Sequence, residues 1–377
     1  MKPRIVVSGV NLVDFGPLAI LREALQTLVE VCGNRYEIVA LVHKVSLVEV
    51  PAVIYEEYPT IKASWLRRLK FEYVDSREIS LRLEPVLWVA MHDITPRVIC
   101  ERQVVYCHNP APFYRFSLRE AILDPTFGMF VLFYRFLYGL FLERNEAVIV
   151  QQQWIRHEFE QTYHAKHVIV ATPSAAPDSA TVWQPHTIDV EHIPYRFFYP
   201  AFARTFKNHE LLLEATAILE RRGARPFELI LTMDATSNRL GAGIYRKYRS
   251  LTSVRWLGII SRDRVFEVYA ESNCLLFPSK LETWGLPLSE FKHTRKPILA
   301  VDLPYAHETV GTYDKVAFFD ACNAPALANL MENVLNGTQT WHPVTAESAS
   351  QPYAPDWQTL WHMLLPHTGS RTDRDDQ

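Results

Sequence analysis

Two glutamates, Glu282 and Glu290, bracket the segment Thr283-Trp284-Gly285-Leu286-Pro287 within LLFPSKLETWGLPLSEFKHTRKPILAVD, residues 275–302. Carboxylates accept hydrogen bonds from hydroxyl groups, and glycine lets a backbone come close to a ligand. The apolar run NCLLF reads as a strand that leaves its sheet at Pro278 and carries Glu282 in the following loop. The chain then turns at Gly285 and enters a helix with Pro287 in the first turn, where proline's fixed φ fits. Glu290 falls about one turn further on. Backbone N–H groups around Gly285, Leu286 and Leu288 then face outward with the positive end of the helix dipole behind them, which suits a diphosphate or sugar hydroxyls. One carboxylate before such amides and one after can hold two hydroxyl-bearing parts of one ligand, and a nucleotide sugar has that shape. The alternative is that both glutamates are solvated charges at a helix start, where acids are favoured in any case.

The elements needed to position such a loop recur along the chain. The strand RIVVSGV (4–10) precedes a loop with Asp14, Gly16 and Pro17 and then the helical spacing of LAILREALQTLVEV. YEIVALVH (36–43), PVLWVAM (85–91), QVVYCH (103–108) and EAVIVQ (146–151) are further strands between helical stretches. The segment 172–194, TPSAAPDSATVWQPHTIDVEHIP, breaks the pattern and marks a domain boundary. A second alternating series follows: the strands YRFFYPA, FELILTM, VRWLGII, NCLLFPS, KPILAVD and KVAFFD, with the helices NHELLLEATAILERRG, RDRVFEVYAES, LPLSEFKHT and ALANLMENVLNG. Alternation of this kind predicts an α/β protein of two doubly wound domains, 1–175 and 195–345, with ligands at the carboxyl ends of the strands in a crevice between them. Residues 346–377 complete the chain as an amphipathic helix, PDWQTLWHMLLP, that can pack back on the domains, and a polar tail that reads as disordered.

At 377 residues the chain is long for one core, and a 48% hydrophobic, 21% charged composition is that of a globular protein. The formal net charge of -3 gives no reason to expect nucleic acid as a partner. Five cysteines, at 32, 100, 107, 274 and 322, show neither metal-ligand spacing nor a disulfide framework. Reduced cysteines and an amino terminus without a signal peptide point to the cytoplasm. His157, His164 and His167 lack accompanying carboxylates and read as surface residues, not a metal site. Asp373 and Asp375, the sole Asp-x-Asp, lie in the tail, and there is neither a Walker A loop nor an intact GxGxxG.

One stretch, FGMFVLFYRFLYGLFLER (127–144), is apolar nearly all round apart from Arg135. It is short for a membrane span. Two readings stay open: a core helix of the first domain, or a helix resting on a bilayer surface with Arg115, Arg119, Arg135 and Arg144 near the headgroups.

The string from Phe277-Pro278 through Gly285-Leu286-Pro287 to Lys296-Pro297 and Asp302, with its Glu-x7-Glu spacing, resembles the donor-site signature of retaining glycosyltransferases of the family 4 type. SGVNLVDFGPLAILREAL, VVYCHNPAPFYRFSL, VIVQQQWIRHEF and FFYPAFARTFKNHELLLEA extend the resemblance to bacterial transferases that build O-antigen and other surface polysaccharides. It implies the GT-B fold, with the acceptor mainly on the first domain and the nucleotide mainly on the second. Carried over by residue, it implies that Glu290 binds the ribose hydroxyls and Glu282 faces the donor sugar. The amides of Trp284, Gly285 and Leu286 would complete the donor contacts, with Thr283 narrowing the pocket because the loop reads ETWGLP where EGFGLP is commoner. Lys207 matches a lysine that neutralises the departing diphosphate, although a surface lysine is the plain alternative. The family's arginine five residues earlier is replaced here by Phe202, and Arg204 is the substitute. Gly16 would let the backbone approach diphosphate or acceptor, and His108 matches a histidine that contacts the donor sugar. A turn glycine and a buried histidine satisfied by its neighbours are the respective alternatives.

The reaction implied is metal-independent transfer of a hexose or deoxyhexose from a nucleotide diphosphate sugar to a lipid-linked saccharide. The sugar nucleotide is a co-substrate, no other cofactor is needed, and the site of action is the cytoplasm or the cytoplasmic face of the inner membrane. No carboxylate stands out as the nucleophile of a double displacement, and the resemblance implies retention by a front-face route. Two rivals share the fold: a sugar-nucleotide epimerase, which needs no acceptor, and a non-catalytic scaffold subunit of a polysaccharide assembly complex.

Overall fold

The computed structural model describes residues 2–13, 15–115, 124–172, 194–341 and 349–365. The break at 173–193, Asp14, Arg119 and the tail from Pro366 lie outside them. The chain forms two compact units, one of Met1–Phe113, Leu132–Ser174 and Ala349–Gln377, the other of Tyr114–Val131 and Ala175–Ser348.

The first unit contains β1 (Arg4–Gly9), β2 (Glu37–Val42), β3 (Ile54–Glu57), β4 (Pro85–Ala90), β5 (Arg102–Cys107), β6 (Ala147–Val150), β7 (Val168–Ala171) and β14 (Tyr353–Ala354). They form one 8-stranded sheet in the order β14-β7-β6-β5-β4-β1-β2-β3. The pairings are parallel throughout. A parallel sheet is covered on both faces, which is why β1, β2, β4 and β6 are nearly uninterrupted apolar runs. The helix Trp357–Leu364 covers part of it: Trp361 is fully buried and donates its indole N–H to the Ala24 carbonyl of the helix Phe15–Cys32 at 3.0 Å. Trp357 stacks on Tyr106. The carboxyl-terminal helix thus belongs to the first unit. Arg156, nearly buried, ties β7 to the returning chain by donating to the carbonyls of Val168, Ser350 and Pro352.

A π-helical turn, Phe71–Asp75, interrupts the run of helix between Trp65–Lys70 and Ser76–Leu83. It turns Phe71 and Glu72 fully into the interior. The helix Pro125–Gly139 buries Val131, Tyr134, Leu137 and Tyr138 and exposes Met129, Leu132, Phe133 and Phe136. Its all-round apolar sequence therefore serves the core with one face only.

In the second unit β8 (Tyr195–Tyr199), β9 (Phe227–Leu231), β10 (Val254–Trp256), β11 (Cys274–Phe277), β12 (Ile298–Val301) and β13 (Val316–Phe319) make a 6-stranded parallel sheet in the order β10-β9-β8-β11-β12-β13. This is the doubly wound order that starts in the middle, grows to one edge, then returns to grow to the other. Its reversal falls between β8 and β11.

Several short elements escape the sequence patterns. β3, β7 and β14 are edge-side or very short strands, and Pro304–Val310 is a two-turn helix. The helix Arg239–Tyr248 hides behind Gly241 and Gly243. Gly241 sits where an added Cβ would lie 3.2 Å from both Ala203 Cβ and the Asp234 carbonyl, so close packing and not chain flexibility requires it. Gly16, expected in a loop, lies in the first turn of the helix, which begins at Phe15. Pro17 explains the early start, since a first helical turn has no use for its missing N–H.

Candidate functional site

The loops leaving β8 and β11 carry Lys207 and Glu282, and their side chains form an ion pair across the point where the strand order reverses. Ligands of open α/β sheets bind at such switch points, outside the carboxyl ends of the strands. The two side chains are 20% and 16% exposed, so the pair is largely withdrawn from water. Its backbone is fixed on both sides. Lys207 ends the 3-10 turn Thr205–Lys207, and its carbonyl accepts from the buried Tyr199 hydroxyl at 2.9 Å. Asn208, in the left-handed region at φ 57°, donates from its amide to the carbonyls of Pro278 and Ala321. Arg204, expected to assist Lys207, caps that turn with its side chain 58% exposed and reaches Asp124 at 4.0 Å.

Beyond Glu282 the chain turns as its sequence demands. Gly285 has φ +78°, and an added Cβ would lie 3.3 Å from Leu288 Cδ1 and 3.4 Å from Phe277 Cε1. It precedes the helix Leu286–Lys292, with proline in the first turn. Trp284 is fastened at both ends: its indole N–H donates to Ser289 Oγ at 2.9 Å, and its carbonyl accepts from the Thr309 hydroxyl. Thr283 is half-buried and Leu286 is exposed. One expected free donor is corrected: the Leu288 N–H bonds to the Gly285 carbonyl at 2.9 Å, because a tight left-handed turn brings that carbonyl within reach. Lys296 of the same string is interior, its ammonium spent on the carbonyls of Ala270 and Ser272 that end the helix Arg262–Glu271.

Glu290 does not join the Lys207–Glu282 pair. Its Oε1 accepts from Arg262 at 2.7 Å and its Oε2 from the Tyr269 hydroxyl at 2.9 Å. Burial, and then the neighbouring carboxylate, push the Tyr269 phenol well above its ordinary range, so it stays a donor. Sequence reasoning missed both partners. The readable signal was the aromatic and cationic helix RDRVFEVYAE, whose register relative to Glu290 only the fold supplies.

His108 and Gly16 belong to the first unit. His108 follows β5 with Nδ1 3.6 Å from Asp93 Oδ1. The same carboxylate oxygen accepts from the backbone N–H groups of His108 and Asn109 and from the Tyr138 hydroxyl. Asp93 thereby shapes the loop that presents His108. It was not singled out in the sequence, although a His-Asp pair directly after the apolar strand VLWVAM marks a sheet's carboxyl edge.

That edge holds a second buried group. Ser8 Oγ lies 3.1 Å from His92 Nε2, and His92 Nδ1 lies 3.1 Å from Glu72 Oε1, with Glu72 and His92 at 0% and 1% exposure. Desolvation raises the Glu72 carboxyl to about 8, and it lowers the His92 imidazole well below its usual range. Both groups are neutral at pH 7 on these shifts. The 3.1 Å contact between Glu72 and His92 is not aligned as a hydrogen bond: His92 Nδ1 and both Glu72 oxygens are buried without a hydrogen-bond partner, while Nε2 faces Ser8. Arg68 closes the group, donating to the His92 carbonyl at 2.6 Å, to the Tyr134 hydroxyl and to the Asn11 amide oxygen. π-helical turns and displaced pKa values both concentrate at functional positions.

His157, His164 and His167 are exposed. Among the described residues, no group of three or more His, Cys, Asp or Glu side chains is placed to hold a metal ion.

Comparison with known proteins agrees with this layout. Residues 191–346 match the family model Glycosyl transferases group 1, a span that contains Lys207, Glu282 and Glu290. No curated protein matches the chain in sequence. Among solved structures, sucrose-phosphate synthase from Thermosynechococcus elongatus is similar at TM-score 0.59 and 15% identity, covering 89% of this chain and 90% of that one. WaaG, a glycosyltransferase involved in lipopolysaccharide biosynthesis, is similar at TM-score 0.61 and 14% identity over 88% and 90%. Anabaena HepE, solved with UDP and glucose, is similar at TM-score 0.54 and 13% identity over 90% and 91%. The two doubly wound units therefore make a GT-B fold.

Proposed function

We propose that the chain is a retaining glycosyltransferase. It moves a hexose or deoxyhexose from a nucleotide diphosphate sugar to a lipid-linked saccharide in surface polysaccharide assembly, without a metal ion or further cofactor. The observation that carries this reading is the Lys207–Glu282 ion pair across the switch point between β8 and β11, within the span that matches a glycosyltransferase model. In this reading the pair is the resting state of a site whose natural occupant is charged. A bound donor places its diphosphate against Lys207 and its sugar against Glu282, while Glu290 takes the ribose hydroxyls. The likeness to HepE with UDP and glucose and to WaaG is consistent with such a donor and with a saccharide acceptor.

Chemistry then proceeds on one face of the sugar. The bond from the anomeric carbon to the diphosphate breaks, the acceptor oxygen bonds to the same face, and the acceptor proton passes to the departing phosphate. Lys207, with Arg204 nearby on the same turn, stabilises the charge as it develops. Positioning supplies the rest of the rate. In the first unit Gly16 lets the backbone approach the diphosphate or acceptor, His108 contacts the donor sugar, and Asp93 holds the His108 loop.

The reading places the enzyme on the cytoplasmic face of the inner membrane as a peripheral protein. No helix among the described residues is long and apolar enough to cross a membrane. Support for surface docking comes from the exposed Leu132, Phe133 and Phe136 and from a second helix absent from the sequence reading. Trp65, edge-on to Phe133 at 5.4 Å, and Leu66, 80% exposed, extend the apolar surface, with Lys62, Arg67 and Arg135 exposed alongside. Apolar side chains interleaved with cations suit anionic headgroups.

The experiment is a thermal-shift panel of GDP, UDP, dTDP and CMP on the wild-type protein and Glu290→Ala, followed by product analysis with the matching nucleotide sugar, with and without a saccharide acceptor. One nucleotide raising the melting temperature in the wild type alone, and sugar transfer only with acceptor present, is the expected result. Conversion of the nucleotide sugar without acceptor would make the protein an epimerase. A panel without any shift would leave a scaffold.

A further inference from the structure

The two partners of Glu290 differ in kind. Tyr269 is 1% exposed and wedged edge-on among Phe198, Phe266 and Phe291, so its hydroxyl has one position. Arg262 is 59% exposed on a long side chain, while the Glu290 side chain it contacts is 13% exposed. Arg262 also opens its helix directly after the capping residue Ser261, where the helix dipole disfavours a cation. Its guanidinium lies 5.1 Å from the Phe266 ring, a contact that supports the stem without closing off movement of the head. The carboxylate is thus held by one fixed donor and one movable one.

We infer that Arg262 is a displaceable counter-ion over the nucleotide-ribose site and a determinant of its specificity. With the site empty it occupies Glu290 Oε1. A ribose with both the 2′ and 3′ hydroxyls takes that oxygen from it, while Tyr269 keeps the carboxylate oriented. A nucleotide lacking the diol has nothing to exchange for the ion pair and leaves Arg262 in place. The pair therefore lowers the affinity of the ribonucleotide alone, so removing Arg262 widens the preference for the diol. The inference rests on the assignment of Glu290 to the ribose made above.

The test is calorimetric titration of GDP and UDP, each beside its 2′,3′-dideoxy counterpart, into wild type, Arg262→Met, Arg262→Lys and the double variant Arg262→Met/Glu290→Gln. An exposed ion pair of this kind is worth a factor of about two to five in affinity. Arg262→Met is expected to bind the ribonucleotide tighter by about that factor and the dideoxy form unchanged, Arg262→Lys to fall back toward wild type, and the double variant to lose the gain. Melting of Arg262→Met at the wild-type temperature verifies its fold. A ribonucleotide-to-dideoxy ratio unmoved by Arg262→Met, or weaker binding of both nucleotides, overturns the inference while leaving the donor site intact. Folded wild-type protein that binds none of these four nucleotides, nor dTDP or CMP, removes the donor-site reading, and the counter-ion with it; selective binding of the 2′-deoxy dTDP overturns the counter-ion inference alone.

Discussion

Lys207 and Glu282, 75 residues apart in sequence, pair side chain to side chain across the reversal point of the second sheet. Strand order dictates this meeting: β8 and β11 are neighbours only because the winding changes direction between them. Each charge is mostly buried, so removing either strands the other. Lys207→Met and Glu282→Gln should each cost about 1–3 kcal/mol of stability. The double variant should cost less than the two together, because it leaves no orphan charge. A double-mutant cycle in urea measures the coupling, and strict additivity would show the two groups to be independent. If the pair also serves the donor, each single variant lowers turnover by about 10²–10³-fold, as removal of a charge-stabilising group does.

The Glu72–His92 contact predicts a pH dependence whose sign follows from its two displaced groups. Glu72 is protonated in the fold up to about pH 8. In the unfolded chain it ionises near its ordinary value, so between the two the native state holds the extra proton and stability falls as pH rises. His92 works in reverse: lowered by burial, it is neutral in the fold while the unfolded chain still binds a proton, so it contributes stability that grows up to about pH 6.5. Arg68 and His108, the other charged or titratable groups acting on the site, oppose the imidazolium. Above about pH 6.5 only the Glu72 contribution remains, and unfolding free energy should decline toward pH 8. Glu72→Gln keeps the size and polarity of the side chain without the titration. Urea midpoints from pH 6.5 to 7.5 should slope downward in the wild type and run flat in this variant, a window that stays below the slope of the same sign from the thiols of Cys32, Cys100, Cys107 and Cys274, which burial raises.

Much of this organisation was legible in the chain. Parallel sheets bury both faces of their strands, so runs such as RIVVSG and CLLF announce themselves. Gly285 and Pro287 mark the turn and helix start by backbone chemistry that needs no neighbours. What stayed hidden depends on distant partners: Arg262 and Tyr269 meet Glu290 only after β10 and β11 take their places, and Glu72 faces His92 only because a π turn rotates it inward. The helix Arg239–Tyr248 was masked by Gly241, whose purpose is a contact with Ala203 and not a break.

Gly285 is the position in the loop after β11 where backbone and packing agree. Its positive φ strains any residue with a side chain, and an added Cβ would lie 3.3 Å from Leu288 Cδ1, tighter than ordinary van der Waals contact, and 3.4 Å from Phe277 Cε1, so Leu288 must give by a few tenths of an ångström. Gly285→Ala should therefore cost about 1–2 kcal/mol from the backbone, with a further increment from the shift forced on Leu288. If the loop also holds the donor, nucleotide affinity should fall alongside, because the turn sets the course of the backbone that follows Glu282. Melting temperature and nucleotide titration on the same sample check both. An unchanged melting temperature would argue against the strained turn.

The exposed apolar surface of the first unit makes the last prediction. Leu132, Phe136 and Leu66 are 63%, 65% and 80% exposed and contribute little to the core. Replacing them with glutamate should leave the melting temperature within a degree or two of wild type, since surface substitutions away from packed groups change stability by about 0.5 kcal/mol or less. The same changes put negative charge where anionic headgroups would lie, at a cost near 1 kcal/mol for each charge close to the surface. Sedimentation with vesicles of phosphatidylglycerol and phosphatidylethanolamine should recover the wild type in the pellet and Leu132→Glu/Phe136→Glu in the supernatant. Neutral phosphatidylcholine vesicles should hold less of the wild type, because the anionic headgroups that attract Arg67 and Arg135 are then absent. Equal recovery of both proteins from both vesicles would assign the surface to something other than lipid.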